Sequence, residues 1–187
     1  MIGFEDAIDA RFVRDRKIEL IISSGYSPII KGDVVAALPN RIINLHISLL
    51  PSGKGVYPNF WSFFENSPKG VSIHQIDIGI DTGGVLYQRE VRFSPDETLR
   101  SSHKKLMNAL EELFFACWPD IAAGTFQVND QKNLAAETIY HSRYDSERLI
   151  DLLPQRWDTP TAIVESMGLE FALAESFCTR IDMEARG

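Results

Sequence analysis

Asn44, His46 and Asp81 are the polar side chains of this sequence best placed to do chemistry. Asn44 and His46 stand two apart at the end of the apolar run Arg41 to His46, so in a strand both leave the same face. The C-terminal end of a strand is where open α/β sheets keep their ligand crevice. An amide and an imidazole are costly to bury there without partners. Asp81 lies in Gly79-Ile80-Asp81-Thr82-Gly83-Gly84, a loop whose glycines permit close backbone approach to a ligand. Together the three offer a hydrogen-bond donor, a group that titrates near neutral pH and a carboxylate to orient it. Taken singly, each has a plainer reading as a satisfied core histidine, a turn asparagine or a turn aspartate. The conjunction of the two segments with the loop between them favours a site.

The elements that must position these residues follow from apolar spacing. Residues 4–16 read as an amphipathic helix, with Phe4, Ala7, Ile8 and Phe12 on one side. Ile18 to Ser23 and Arg41 to His46 read as strands of the kind buried on both faces of a parallel sheet. Gly25-Tyr26-Ser27-Pro28 is a turn, and Gly32 to Leu38 a short helix. A Pro- and Gly-studded loop from Ser48 to Pro58 leads into an aromatic helix with Phe60, Trp61, Phe63 and Phe64. Val71 to Asp77 and Val85 to Phe93 are further strands.

Ser94-Pro95-Asp96-Glu97 has the form of a capping box with proline at the first helical position. The helix it predicts carries Leu99, His103, Leu106, Leu110, Leu113, Phe114, Cys117, Trp118 and Ile121 at helical spacing and ends at Gly124. Pro119 is expected to kink or break its last turn. Beyond lie a short helix over Asp145–Leu153 with Asp145 as cap, a linker over 154–160, and a last helix opened by Thr159-Pro160. Its stripe is Ile163, Met167, Phe171, Ala174, Phe177 and Ile181. This divides the chain into a core over 1–124 and an extension over 125–187.

Bulk properties narrow the function classes. With 187 residues the chain can bury a core. A formal charge of −7 argues against a surface built for nucleic-acid phosphate. No apolar stretch reaches the roughly 18 residues of a membrane span, and an acidic start is unlike a signal peptide. The only cysteines, Cys117 and Cys178, lie in helical patterns, which suits a reducing cytoplasm. No histidine pair has metal-ligand spacing, so no metal site is expected. His74 reads as a packing or supporting residue, and His103 as part of the inner stripe.

The run Asn44-Leu45-His46-Ile47-Ser48-Leu49-Leu50-Pro51, followed at this distance by Ile80-Asp81-Thr82-Gly83, resembles the folate-dependent formyltransferase family over residues 18–123. Pro58 to Phe63, Tyr140-His141 and Trp157-Asp158-Thr159-Pro160 look closest to its amino-sugar branch. The resemblance implies an open, mostly parallel α/β sheet of the formyltransferase type, here read as lacking its first βα unit, with a helical C-terminal extension. It implies 10-formyltetrahydrofolate as co-substrate and a small-molecule amine, a nucleotide-linked amino sugar, as acceptor. It gives Asn44 the formyl oxygen, His46 the proton transfers, and Asp81 the orienting of His46. The folate pocket would take Gly25, Tyr26, Ser27, Pro28, Ile29, Ile30, Gln75 and Ile80. For Ile29 and Ile30, simple core packing is an equal alternative. Lys54, Tyr57 and Asn59 are the acceptor-binding candidates, with Lys54 standing where several relatives carry arginine. The rival readings are formylation of glycinamide ribonucleotide or methionyl-tRNA, hydrolysis of formyltetrahydrofolate, and a non-catalytic binding module. A homodimer stays open.

Overall fold

The two apolar runs near the start of the chain pair in parallel, and beyond them the sheet changes direction. The computed structural model describes residues 3–134 and 140–184, with the side chains of its last helix described to residue 174. In chain order the elements are α1 (Ala10–Asp15), β1 (Ile21–Ser24), α2 (Gly32–Ala37), β2 (Ile42–His46), β3 (Lys54–Gly55) and α3 (Pro58–Phe64). Then come β4 (Gly70–Gln75), β5 (Val85–Glu90), α4 (Leu99–Ala123), β6 (Tyr140–His141), α5 (Arg143–Ile150) and α6 (Thr161–Glu184). The main sheet has the order β1-β2-β4-β5, and β3 pairs with β6 in a second, two-stranded sheet.

The expectation of a mostly parallel sheet is overturned. β1 and β2 are parallel, joined over α2, but β4 is antiparallel to both β2 and β5. A parallel return needs a crossover of a dozen or more residues. The loop 76–84 between β4 and β5 holds no helix and turns the chain straight back. α3, between β2 and β4, packs against α4 and α6 and provides no crossover.

Three apolar clusters hold these elements. Ile43, Val71, Ile73 and Leu86 of the sheet meet Leu106, Leu110, Leu113 and Ile121 of α4. The aromatic residues of α3 pack with Leu99, Ile150, Leu153 and Val164, so the C-terminal part of the chain shares a core with the helix that follows the site loop. Val13, Val34, Leu38 and Ile42 form the third.

Several helix ends move from where spacing alone put them. α1 is short because the preceding residues are held by Tyr26, whose hydroxyl donates to the Asp6 carbonyl (2.6 Å) and accepts from the Ile8 N–H (3.2 Å). α4 begins at Leu99, where Thr98 and Ser101 cap each other reciprocally. The box expected at Ser94 is a turn instead, because residues 97–99 pair with Thr159 and Thr161 (Leu99 N–H to Thr159 O, 3.1 Å; Thr161 N–H to Glu97 O, 2.8 Å). Pro119 does not break α4, which runs on to Ala123 and ends at Gly124 in the left-handed conformation. His103 is exposed and lies off the inner stripe. Ser142, three residues before Asp145, caps α5.

The buried face of α6 is Thr161, Val164 and Gly168, with Met167 packed beside it and Ile163 exposed, so the predicted stripe is rotated. The cause is Gly168, where a Cβ would stand 1.7 Å from the Phe64 carbonyl oxygen. The side chains of Phe177 and Ile181 lie outside the described residues. Residues 154–160 are pinned to α4 by a two-pronged bond from Arg100 to Asp158 (2.7 and 3.1 Å). No helix among the described residues is long and apolar enough to cross a membrane.

Candidate active site

β2 delivers Asn44 and His46, and β4 sets His74 directly opposite Asn44 in the antiparallel register. Asp81 comes from the loop 76–84. His74 donates its Nδ1–H to the Gln75 carbonyl (2.7 Å), which leaves Nε2 as an acceptor for the Asn44 Nδ2–H (3.1 Å). His46 donates its Nε2–H to the Gly53 carbonyl (3.0 Å) and turns Nδ1 toward Asp81. Asp81 Oδ1 lies 3.9 Å from His46 Nδ1 and 3.5 Å from His74 Nε2, while Oδ2 accepts the Gly55 N–H (2.9 Å). The 3.9 Å gap is too long for a direct hydrogen bond and leaves His46 Nδ1 open to a proton-bearing reactant.

Serines and glycines fold the loop after β2 back onto this cluster. Ser72 Oγ donates to the Ser48 carbonyl (2.7 Å) and accepts from the Leu50 N–H (3.0 Å). Gly53, at φ +68°, brings its carbonyl to His46. The Asp81 loop is closed by Asp77, whose Oδ1 accepts from the Gly79 N–H (3.0 Å) and the Thr82 hydroxyl (2.5 Å). Asp81 itself sits at φ +53°, in the left-handed region, which Asp tolerates better than most side chains.

Burial pushes the Asp81 carboxyl upward, but the imidazoles of His74 and His46 and the Gly55 N–H outweigh it and bring it down to about 2. Burial lowers the His46 pKa below its ordinary value; the Asp81 charge pulls the other way. His46 is therefore an uncharged base at neutral pH. Burial also lowers Lys54, with Asp81 and Asp77 opposing.

The candidate folate residues lie on two neighbouring loops. A Cβ on Gly32 would stand 3.6 Å from Ile78 Cγ2, so the loops 25–31 and 76–82 sit side by side. Ile29 is 75% exposed and Ile78 89%, with Ile80 also exposed, leaving an apolar surface beside the cluster. Gly25 leaves β1 at φ +61°, and Ser27 and Pro28 line the same turn. Gln75 reaches toward the Asn40 carbonyl (3.4 Å). Two of the candidate folate residues also make structural contacts. Ile30 packs in the Val34–Ile42 cluster, and the Tyr26 hydroxyl is committed to Asp6 and Ile8.

Among the acceptor candidates, Lys54 is half-buried beside Asp77 and Asp81. The Tyr57 ring packs on Trp157, with its centroid 5.3 Å away. Asn59 turns inward: it is 3% exposed, and its amide donates to the Leu99 carbonyl (2.9 Å) and exchanges bonds with Ser102, tying α3 to α4.

Two residues gain weight over the sequence reading. His74 is the partner of Asn44, which only the β2–β4 register reveals. Gln131, for which the sequence gives no signal, donates its amide to the Asp81 and Gly83 carbonyls. Donor atoms of His46, His74 and Asp81 lie within 4.8 Å of one another, a distance that suits a cation and that sequence spacing did not suggest. A cation there would have to displace Asn44 from His74 Nε2.

Residues 4–116 match the family profile described as formyl transferase. The chain belongs to this family. Its open sheet and C-terminal helix are the α/β formyltransferase fold. It is 41% identical to the formyltransferase PseJ from Anoxybacillus kamchatkensis, solved with UDP-4,6-dideoxy-4-formamido-L-AltNAc and tetrahydrofolate. The match covers 88% of this chain and 86% of that one, with a TM-score of 0.82. A 4-N formyltransferase from Francisella tularensis matches at 25% identity over 86% of this chain and 64% of that one, with a TM-score of 0.69. Methionyl-tRNA formyltransferase of Solibacter usitatus is 31% identical over 126 residues. That match takes in 67% of this chain, which spans only 40% of the relative's length.

Proposed function

We propose that this formyl transferase moves the formyl group of 10-formyltetrahydrofolate to the amine of a nucleotide-linked amino sugar. The carrying observation is the convergence of Asn44, His46 and Asp81, from two separate stretches of chain, around one gap. The likeness to PseJ, solved with a formamido sugar nucleotide and tetrahydrofolate, supports both the co-substrate and the acceptor class. The exposed isoleucines of the paired loops suit a flat pterin ring, whose amide edge the loop backbone would meet. A net charge of −7 argues against initiator tRNA as the acceptor. A cytoplasmic location belongs to the same reading.

The bound folate supplies the electrophilic formyl carbon. Asn44 has one N–H committed to His74 and a second, without a partner among the described residues, to donate to the formyl oxygen as charge develops there; losing one such donor costs about 2.7–4 kcal/mol of barrier. His46 Nδ1, uncharged at neutral pH, accepts the proton of the attacking amine and can return it to the leaving folate nitrogen. Asp81 stabilises the protonated imidazole across the gap. The amine is itself the nucleophile, so no covalent enzyme intermediate is required.

Incubation of the purified chain with 10-formyltetrahydrofolate and a UDP-linked 4-amino sugar should give the formamido product by mass spectrometry. His46→Ala should bind folate normally and lose about 10²–10⁴-fold in rate. Undiminished turnover in that variant removes His46 from the mechanism. Formate without amine product favours hydrolysis, and folate binding without transfer favours a binding module.

A further inference from the structure

The loop that presents Asp81 is held from behind by a residue outside both motif stretches. Asn129 exchanges two backbone bonds with Val85 (both 2.8 Å), which lays the segment after α4 along the start of β5. The approach is close because Gly84 has no side chain: a Cβ there would stand 2.3 Å from Val128 Cγ1. Two residues beyond Asn129, Gln131 is 6% exposed, and its Nε2 donates to the Asp81 carbonyl (2.8 Å) and the Gly83 carbonyl (2.7 Å). Two carbonyl partners require the NH₂ end of the amide to face the loop. Asp81 meanwhile holds a left-handed backbone, which a non-glycine residue keeps only where its surroundings over-determine it. Its peptide is fixed by Gln131 and its carboxylate by the Gly55 N–H.

We infer that Gln131 is a positioning residue for formyl transfer, clamping the turn at Asp81 and Gly83 so that the carboxylate faces His46. The inference rests on the role proposed for Asp81. It makes the C-terminal part of the chain a working component of the site, because Gln131 touches no reacting atom and acts through the Asp81 and Gly83 carbonyls. A side chain of the same length without the two N–H donors leaves both carbonyls unpaired and frees the turn to relax. The carboxylate then leaves the His46 side of the gap.

Gln131→Met tests this. In the transfer assay kcat should fall about 10- to 100-fold with folate Kd within about twofold, since misplacing a group by an ångström costs on that order. In an Asp81→Asn background the same substitution should change kcat less than about twofold, because the two residues act as a unit. In parallel, the His46 imidazole, followed by NMR without substrates, should titrate at lower pH in Gln131→Met than in the parent chain, having lost a nearby carboxylate. That measurement needs no turnover, so a chain inactive with every acceptor defeats the proposed function while the clamp is still decided. Equal losses of rate in both backgrounds, or an unmoved His46 titration, overturn the clamp. If Gln131→Met does not fold, Gln131→Asn, whose amide is one methylene short of the carbonyls, is read by the same outcomes.

Discussion

Asn44 donates to His74 across the β2–β4 pair, an N–H···N bond of 3.1 Å between residues directly opposite in register. That bond decides which end of the Asn44 amide faces the gap. The Gln75 carbonyl fixes the His74 tautomer, and His74 fixes Asn44, so a main-chain oxygen of β4 sets the hydrogen-bonding direction of a β2 side chain.

Replacing His74 by leucine removes the acceptor and lets the amide turn. Steady-state assays should show kcat reduced about 10- to 100-fold, short of the 10²–10³ for complete loss of an oxyanion donor, with donor KM little changed. His74→Gln, whose carbonyl oxygen can accept the same N–H, should retain more activity than His74→Leu. Equal activity in the parent and His74→Leu would show the bond to be idle.

Acid should weaken the fold through Asp81. Its carboxyl sits at about 2 in the folded protein against an ordinary 3.8, so the folded state favours the charged form. The resulting stability, about 2 kcal/mol, is present above pH 4 and fades as pH falls toward 2. Denaturant titrations of Asp81→Asn should lie below the parent near pH 5, the gap narrowing by pH 2.5. His46 acts in the same direction at higher pH. Its pKa is lowered from 6.5, so acidification below that value protonates the unfolded chain first and favours unfolding.

Gly55→Ala should disturb fold and site together. Gly55 lies at φ +94°, and a Cβ would stand 2.4 Å from the His141 carbonyl oxygen and 2.8 Å from the Tyr140 ring. Forcing β3 from β6 should cost about 1–3 kcal/mol in urea denaturation and withdraw the N–H that holds Asp81, lowering kcat as well. An alanine variant as stable as the parent would contradict this packing.

Elements with a sharp apolar period were legible in the sequence. Leu106, Leu110, Leu113 and Ile121 are buried as their spacing predicts, and period-two geometry put Asn44 and His46 on one face of β2. Strand direction was not legible, because a buried strand has the same composition in either sense; the helix-free loop 76–84 turns β4 back into β5, and α3 gives β2 no crossover to β4. The inward turn of Asn59 was equally hidden. Its partners, Leu99 and Ser102, are forty or more residues away, and nothing local distinguishes a structural asparagine from a ligand-binding one. Gln131 lies in a stretch with no periodicity, and its two bonds run to main-chain carbonyls, which are the same for every residue type.

Gly168 has a consequence for the long helix that carries it. The α6 backbone rests on the Phe64 peptide at a spot with room for a hydrogen and nothing larger. The contact works as a detent: sliding the helix by a turn, or rolling it by one residue, would bring Val164 or Leu169 onto that oxygen. A single missing methyl group thus sets both the height and the rotation of α6, and a bulky replacement there would shift the helix as a rigid rod.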